Sequence, residues 1–264
     1  MKIGLIIPYK NAAEWLPRCL NSIKGDFKVF LVSDYAPVDE HLIAWSWGMD
    51  HPELMGAVLK GSRWGQGVSY ARNEGLCEAI EQKCDYITFL DADDELTPDA
   101  YDNMIRTIEA EPEAPIIQFN HYMIDKNGWK VPRMQNNAGT YDLGSLPKLW
   151  VNCNNKLIKV ELLKNIRYFF NTRLRHGEDE LFVLECLAKA RRIYCSKLFT
   201  MIYHKDNPNS LSKSTTLDDV LNEQRALYEF IIDHYDDVPL RNAVRIRNAE
   251  LWDNAVYRRV FGGT

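Results

Sequence analysis

What this 264-residue sequence lacks narrows its function before any motif is considered. No apolar run approaches the roughly 18 residues that a membrane-spanning helix needs. The opening "MKIGLIIPYKN" holds too short an apolar stretch for a secretory signal, and no small-residue cleavage site follows it. The formal net charge is −5, so no general positive field draws the chain to nucleic acid or to an anionic membrane. The six cysteines, Cys19, Cys77, Cys84, Cys153, Cys186 and Cys195, are scattered and form no CxxC pair. They read as reduced thiols in a cytoplasmic protein. Internal repeats and low-complexity linkers are also missing.

What is present is ordinary globular material, 46% hydrophobic and 26% charged. That is enough for one large α/β domain, or one domain with a small helical appendix. "KIGLIIPY" reads as a buried strand ended by Pro8, and "FKVFLVS" as a second that ends at Asp34. Between them, "AAEWLPRCLNSI" places Trp15, Leu16, Cys19, Leu20 and Ile23 on one helical face, with Pro17 near its start. "VDEHLIAWSWG" predicts a helix closed by Gly48, "LMGAVLK" a weaker strand, and "GVSYARNEGLCEAIEQ" a helix with Gly75 inside it. "DYITFL" follows as a strand and "PDAYDNMIRTIEAE" as a helix opened by Pro98.

Strands alternating with helices at this spacing predict a mainly parallel sheet with helices on both faces. Ligands of such sheets bind at the carboxyl ends of the strands, and Pro8, Asp34 and Asp91 all fall at predicted strand ends. After residue 113 the pattern changes. "APIIQFNHYMI", the turn "DKNG" and "WKVPRM" predict a β-hairpin. Short helices are expected around Leu146–Val151 and Val160–Ile166, then an amphipathic helix in "EDELFVLECLAKARR" and a strand in "IYCSKLFTMIYH". From Leu217 the chain reads as helical, with Val220, Leu221, Leu227, Ile231 and Tyr235 on its apolar face.

The stretch "YITFLDADDEL" drives Asp91, Asp93 and Asp94 together within four positions. Such repulsion is relieved if a divalent cation sits among them, and Mg²⁺ and Mn²⁺ prefer carboxylate oxygen. Asp94 and Glu95 read equally well as solvated acids capping the next helix.

In this order the motifs resemble the inverting glycosyltransferases of family 2, with the GT-A fold. "LIIPYKNAAEWLPRCLNSI", "FLVSDYA", "GQGVSYARNEGL", "ITFLDADDEL", "NNKLIKVELL", "GEDELF" and "YHKDNPNSLS" carry the resemblance from residue 2 to about 212. Ser33 stands where the family commonly has an acid, and "YAP" replaces its glycine-serine turn. The implied architecture is a catalytic domain over 1–212, with a nucleotide-binding half over 1–113 and an acceptor-side half over 114–212. A C-terminal helical extension covers 213–264.

The resemblance also implies roles. Pro8, Tyr9, Asp34, Arg72, Asp91 and Ala92 would bind a nucleotide-sugar donor, a UDP-sugar being favoured, with Asp34 accepting from the base and Asp91 touching ribose or sugar. Asp93 would ligate Mn²⁺ or Mg²⁺, joined by His204. Asp179 would be the general base. Each has a plainer counterpart: Arg72 as a surface ion pair with Glu74 or Asp91, Glu178 and Asp179 as first-turn helix acids, His204 as a strand-end histidine. Glu178 is assigned to the plainer role and Asp179 to the base. Trp64 and Trp150 are core residues or sugar platforms.

Two other activities use related material. A sugar nucleotidyltransferase needs a glycine-rich basic loop after the first strand, and "PYKNAAEW" has no glycine. A non-catalytic binding module predicts lost acids, whereas Asp91, Asp93 and Asp179 are present. The acceptor hydroxyl is open: a glycan, a lipid-linked sugar or a hydroxylated nucleic-acid base. The tail from Pro239 to Thr264 sets Arg241, Arg245, Arg247, Arg258 and Arg259 against Glu250 and Asp253. That local basic stretch is either a solvated helix face or a dock for an anionic acceptor, such as an acidic glycan or modified DNA.

Overall fold

The computed structural model describes residues 1–60, 67–125, 127–134, 137–143, 151–164, 166, 169–205 and 214–252, with backbone alone at 60 and 246–252. Trp64, Trp150, Arg258, Arg259, nearly all of the predicted 146–151 helix and most of "YHKDNPNSLS" lie outside these residues, as does the Arg247 side chain.

The sheet starts with β1 (Ile3–Tyr9), flanked in parallel by β2 (Phe27–Ser33) and β4 (Tyr86–Phe89), with β3 (Met55–Lys60) parallel to β2. Beyond β4 come β9 (Lys156–Lys159), β6 (Ile116–Ile124), β10 (Arg192–Tyr203) and β5 (Glu95–Leu96), giving the order β3-β2-β1-β4-β9-β6-β10-β5. β9 runs antiparallel to both of its neighbours. β7 (Lys130–Arg133) pairs antiparallel with β6, which is the expected hairpin, and β8 (Gly139–Asp142) pairs with β10.

Alternation along β1 sends its side chains to two cores. Ile3, Leu5 and Ile7 pack with Leu16, Cys19 and Leu20 of α1 (Leu16–Asn21), Trp47 of α2 (Val38–Asp50) and Met104 of α4 (Ala100–Ala110). Ile6 faces the other way, with Leu76 of α3 (Val68–Glu81) and Phe182 of α6 (Glu178–Ala190). A short α5 (Val160–Leu163) follows β9, and α7 (Leu217–Asp233) and α8 (Val238–Trp252) complete this second layer. Val220, Leu227 and Phe230 of α7 share the core of Phe182 and Leu187. The fold is therefore the expected α/β architecture: a mixed, mainly parallel sheet with helices on both faces and helices at its C-terminal end.

Several local expectations are corrected. α2 does not stop at Gly48 but runs to Asp50, because His51 closes it: both its backbone N–H and its ring Nδ1 reach Trp47 O, at 3.1 and 2.9 Å. Pro8 lies inside β1 opposite Val32, not beyond its end. The β4 pairing has already stopped at Ile6, so the missing proline N–H interrupts no ladder. α1 is shorter than its apolar pattern, starting only at Leu16 after Asn11 turns left-handed at φ 52°. The predicted apolar face is nonetheless buried. The strands β5, β8 and β9 have no counterpart in the sequence reading. They are two to four residues long and depend on tertiary pairing.

Candidate active site

β1, β2 and β4 end at one edge of the sheet, which places Tyr9, Asp34 and the turn from Asp91 to Asp94 side by side. Asp34 follows β2 and is buried. Lys10 Nζ reaches its Oδ2 at 3.1 Å, and the Gly67 N–H donates to its Oδ1 at 3.0 Å. Tyr9 Oη lies 2.9 Å from His41 Nδ1 on α2, and burial pushes its phenol up to about 12.

Arg72 is the centre of the arrangement. It sits one turn into α3 and is buried. One guanidinium nitrogen donates to Asp91 Oδ1 at 3.0 Å and the other to Glu178 Oε1 at 2.8 Å. Its plane stands 5.3 Å from the centre of the Phe170 ring, and Phe170 stacks on Phe182 at 4.3 Å. Such aromatic pairs add about 0.5–1.5 kcal/mol beyond their buried area, so the arginine is held from below by the core. Asn154 completes the set by donating from Nδ2 to Asp91 Oδ2 at 2.7 Å. Both oxygens of Asp91 are thus fixed by charged or amide donors.

Asp91, Asp93 and Asp94 offer carboxylate oxygens within 4.8 Å of one another. Asp94 is fully buried. Its Oδ1 accepts from the His204 N–H at 2.9 Å, and its Oδ2 has no hydrogen-bond partner among the described residues. Burial first, then the charges of Asp91 and Asp93, hold its carboxyl well above the ordinary range. A cation among these oxygens would relieve that repulsion and partner the orphaned oxygen. The chemistry of the donor set therefore fits a hard divalent ion. Arg18 Nη2 steadies the turn by donating to Asp93 O at 2.7 Å. His204 is delivered beside the turn by the β10–β5 pairing, with its ring Nε2 2.6 Å from Glu95 Oε1. Ala92 is buried within the turn.

Asp179 and Glu178 open α6, whose first N–H groups favour negative charge. Asp179 Oδ1 accepts from the Glu180 N–H at 2.9 Å. Burial raises both carboxyls above their ordinary values, Glu178 further through the charge of Asp179, while Arg72 opposes the shift in each. Glu178 is more than a helix-end acid: it is buried and grips Arg72. The pairing of Arg72 with Asp91 exists, but in the interior and shared with Glu178. Behind the pair lies Lys156 on β9, fully buried, its Nζ donating to Asn152 O at 2.6 Å and its pKa lowered to about 8 by burial.

Pro8, Tyr9, Asp34, Arg72, Asp91, Ala92 and Asp93 therefore gather at one strand edge, with Asp179 joined to them through Glu178 and Arg72. Sequence reasoning missed Asn154, Arg18 and the second role of Glu178. All three lie in quoted segments, Arg18 in "LIIPYKNAAEWLPRCLNSI", Asn154 in "NNKLIKVELL" and Glu178 in "GEDELF", but nothing local marks their partners.

Comparison with known proteins gives this edge a context. A poly(ribitol-phosphate) beta-glucosyltransferase of Bacillus spizizenii is 24% identical over 211 residues, covering 77% of this chain and 32% of that protein. Poly(ribitol-phosphate) beta-N-acetylglucosaminyltransferase TarS of Staphylococcus aureus is 23% identical over 199 residues, or 73% of this chain and 34% of TarS. The chain thus spans about a third of the length of these curated relatives. Among solved structures, S. aureus TarS 1–349 in complex with UDP-GlcNAc superposes with a TM-score of 0.73 at 20% identity, over 88% of this chain and 67% of that one. The family profile described as "Glycosyl transferase family 2" matches residues 5–173, which run from β1 past Arg72 and the aspartate turn to just short of Asp179. That match takes in well over half of the sequence, and the chain belongs to glycosyl transferase family 2.

Proposed function

We propose that this chain transfers a sugar from a UDP-sugar to a hydroxyl of an anionic polyol-phosphate polymer, with inversion and with the help of a divalent metal ion. The observation that carries the reading is the buried Arg72, which ties the Asp91 turn to the first turn of α6. One side of that tie holds acids suited to a metal and a diphosphate, and the other holds a carboxylate suited to an incoming hydroxyl. The UDP-GlcNAc complex of TarS supports the donor class, and the poly(ribitol-phosphate) relatives support the acceptor class.

In this reading Asp93, with Asp91 and Asp94 beside it, would hold Mn²⁺ or Mg²⁺, and such an ion would supply Lewis-acid stabilisation of the leaving diphosphate. Pro8, Tyr9 and Asp34 receive the nucleobase; the two Asp34 oxygens keep lone pairs beyond those used by Lys10 and Gly67. Asp91, fixed by Arg72 and Asn154, orients the ribose or sugar. Asp179 accepts the acceptor's proton at a carboxylate oxygen as that hydroxyl attacks the anomeric carbon. A single displacement needs no covalent sugar–enzyme bond.

The anionic acceptor would meet the basic C-terminal stretch, where Arg245 is exposed on α8. The test screens UDP-GlcNAc and UDP-glucose as donors, with and without Mn²⁺, against poly(ribitol phosphate) and a neutral oligosaccharide at low and moderate salt. Transfer to the polymer that weakens with salt supports the reading. Replacing Arg245 and Arg247 together should flatten the salt dependence. Transfer to the neutral sugar alone, indifferent to salt, refutes the polymer.

A further inference from the structure

The segment leading into α6 is bolted to the C-terminal helix α7. Arg175 donates to Ser214 O at 3.1 Å, to Ser214 Oγ at 2.7 Å and to Asp219 Oδ2 at 2.8 Å. Asp219 is itself fixed as the third residue of α7, where it and Thr216 cap each other reciprocally. One residue on, His176 Nδ1 lies 3.0 Å from Glu223 Oε2, and Glu223 is 2% exposed. Gly177 then turns left-handed at φ 78°, and a Cβ there would meet Glu223 Cγ at 2.5 Å. Glycine is needed on both counts. The next two residues are Glu178, on Arg72, and Asp179.

Burying a carboxylate on α7 is costly unless it is paired, and the pair it makes ends three residues before Asp179. We infer that Glu223, acting through His176, is a positioning residue for Asp179, so that α7 belongs to the working site although it lies beyond the matched residues 5–173. This rests on the reading of Asp179 as the general base. The contact does two things. It fixes where α6 begins, and therefore where the Asp179 carboxylate points. It also favours the protonated form of His176, and that charge acts on Asp179.

The electrostatics agree in direction. The hydrogen bond to Glu223 raises the affinity of His176 for its proton. Burial raises Asp179, while Arg72 and His176 pull it down. The charged groups facing His176 are Glu223 from α7 and Glu178 and Asp179 from α6. Those acting with Asp179 are Arg72 from α3, Asp91 after β4, His176 and Glu178 beside it, Cys153 ahead of β9 and Lys156 at its start. Without its anion, His176 holds its proton less tightly, and Asp179 loses part of the positive charge that opposes the upward pull of burial.

The experiment uses the full chain with the donor and acceptor found active, and compares wild type, Glu223→Gln, His176→Gln, the double variant and Asp179→Asn. Glu223→Gln keeps the shape that Gly177 packs against. Its kcat should fall about tenfold or more, as small misplacements of a reacting group do. The dissociation constant for the UDP-sugar should stay unchanged, and the acid limb of the kcat/KM profile should move to higher pH. His176→Gln should behave alike, and the double variant should be no worse than either single one, because the two residues act as one unit. A folded Glu223→Gln with wild-type kcat and acid limb overturns the inference, as does a loss confined to donor affinity. If Glu223→Gln does not fold, His176→Gln decides alone, since it leaves the Glu223–Gly177 contact in place. Full turnover in Asp179→Asn overturns the base assignment as well; loss there with wild-type behaviour in the other variants overturns only the role of Glu223.

Discussion

Arg72 and Glu178 stand 106 positions apart in sequence and 2.8 Å apart in space, both nearly free of solvent. The second guanidinium edge is on Asp91, so one cation balances two acids from two different layers of the site. Replacing it by a methionine leaves a buried carboxylate with no counter-charge. Arg72→Met should lower stability by about 3–5 kcal/mol, seen as an earlier urea midpoint with an unchanged slope. Arg72→Met combined with Glu178→Gln should recover part of the loss. An unshifted midpoint in the single variant would show that the pair is not holding the fold.

Asp93→Asn tests the metal. The change is nearly isosteric and removes a charged ligand, while Arg18 holds the turn through the Asp93 backbone carbonyl, which stays. Turnover should fall by about 100-fold, about 2.7 kcal/mol of lost transition-state stabilisation, with the melting temperature preserved. Full activity in the variant, or wild-type activity undiminished by excess chelator, contradicts the role.

Asp179→Asn tests the base. Transfer should fall by about 10²- to 10⁴-fold, while UDP-sugar affinity measured by calorimetry is retained. A collapse of donor affinity together with transfer would assign Asp179 to the donor pocket instead.

Asp94 should reveal itself in stability against pH. Its folded pKa is raised, so its favourable share is fully present below the ordinary aspartate value of about 3.9 and is lost as pH rises through the folded value. In chelator, Asp94→Asn should therefore be more stable than wild type at neutral pH, and the advantage should vanish on acidification. Added Mn²⁺ should stabilise wild type more than the variant. Equal pH dependence of the two melting temperatures would contradict this account.

Gly75→Ala should destabilise, although alanine is the better helix former by about 1 kcal/mol. A Cβ at this position in α3 would come within 2.5 Å of Ile6 Cγ2 on β1, and overpacking typically costs about 1–3 kcal/mol. A thermal melt decides the sign. A rise would mean that β1 and α3 separate easily, and with them the mount of Arg72.

The parts of this protein legible in sequence are those whose cause is local. The runs of β1, β2 and β4 are mostly apolar because both faces of those strands are covered. The acids at their ends stand out because nothing local accounts for them. What stayed hidden is set by distant partners. β9 is four residues of "KLIK" whose strand character comes from β4 and β6. Asn154 gains its meaning only when β9 brings it to Asp91. Glu178 looks like any first-turn acid until α3 supplies Arg72, and Gly48 looks like a helix stop until His51 takes that task three residues later.

The antiparallel insertion of β9 also has a consequence for how the chain comes into being. Residues up to about 113 can assemble β3, β2, β1 and β4 as they leave the ribosome, but the free side of β4, Tyr86 and Ile87, is closed only by Ile158 and Lys159. Lys159 lies about 70 residues beyond the end of β4 at Phe89, a delay of roughly 4–14 s at ordinary synthesis rates. Throughout that interval an apolar strand presents an unpaired edge, the feature through which nascent sheets join one another. The β3-β2-β1-β4 part of the sheet is thus complete in sequence first and has its β4 edge exposed longest while the rest is being made.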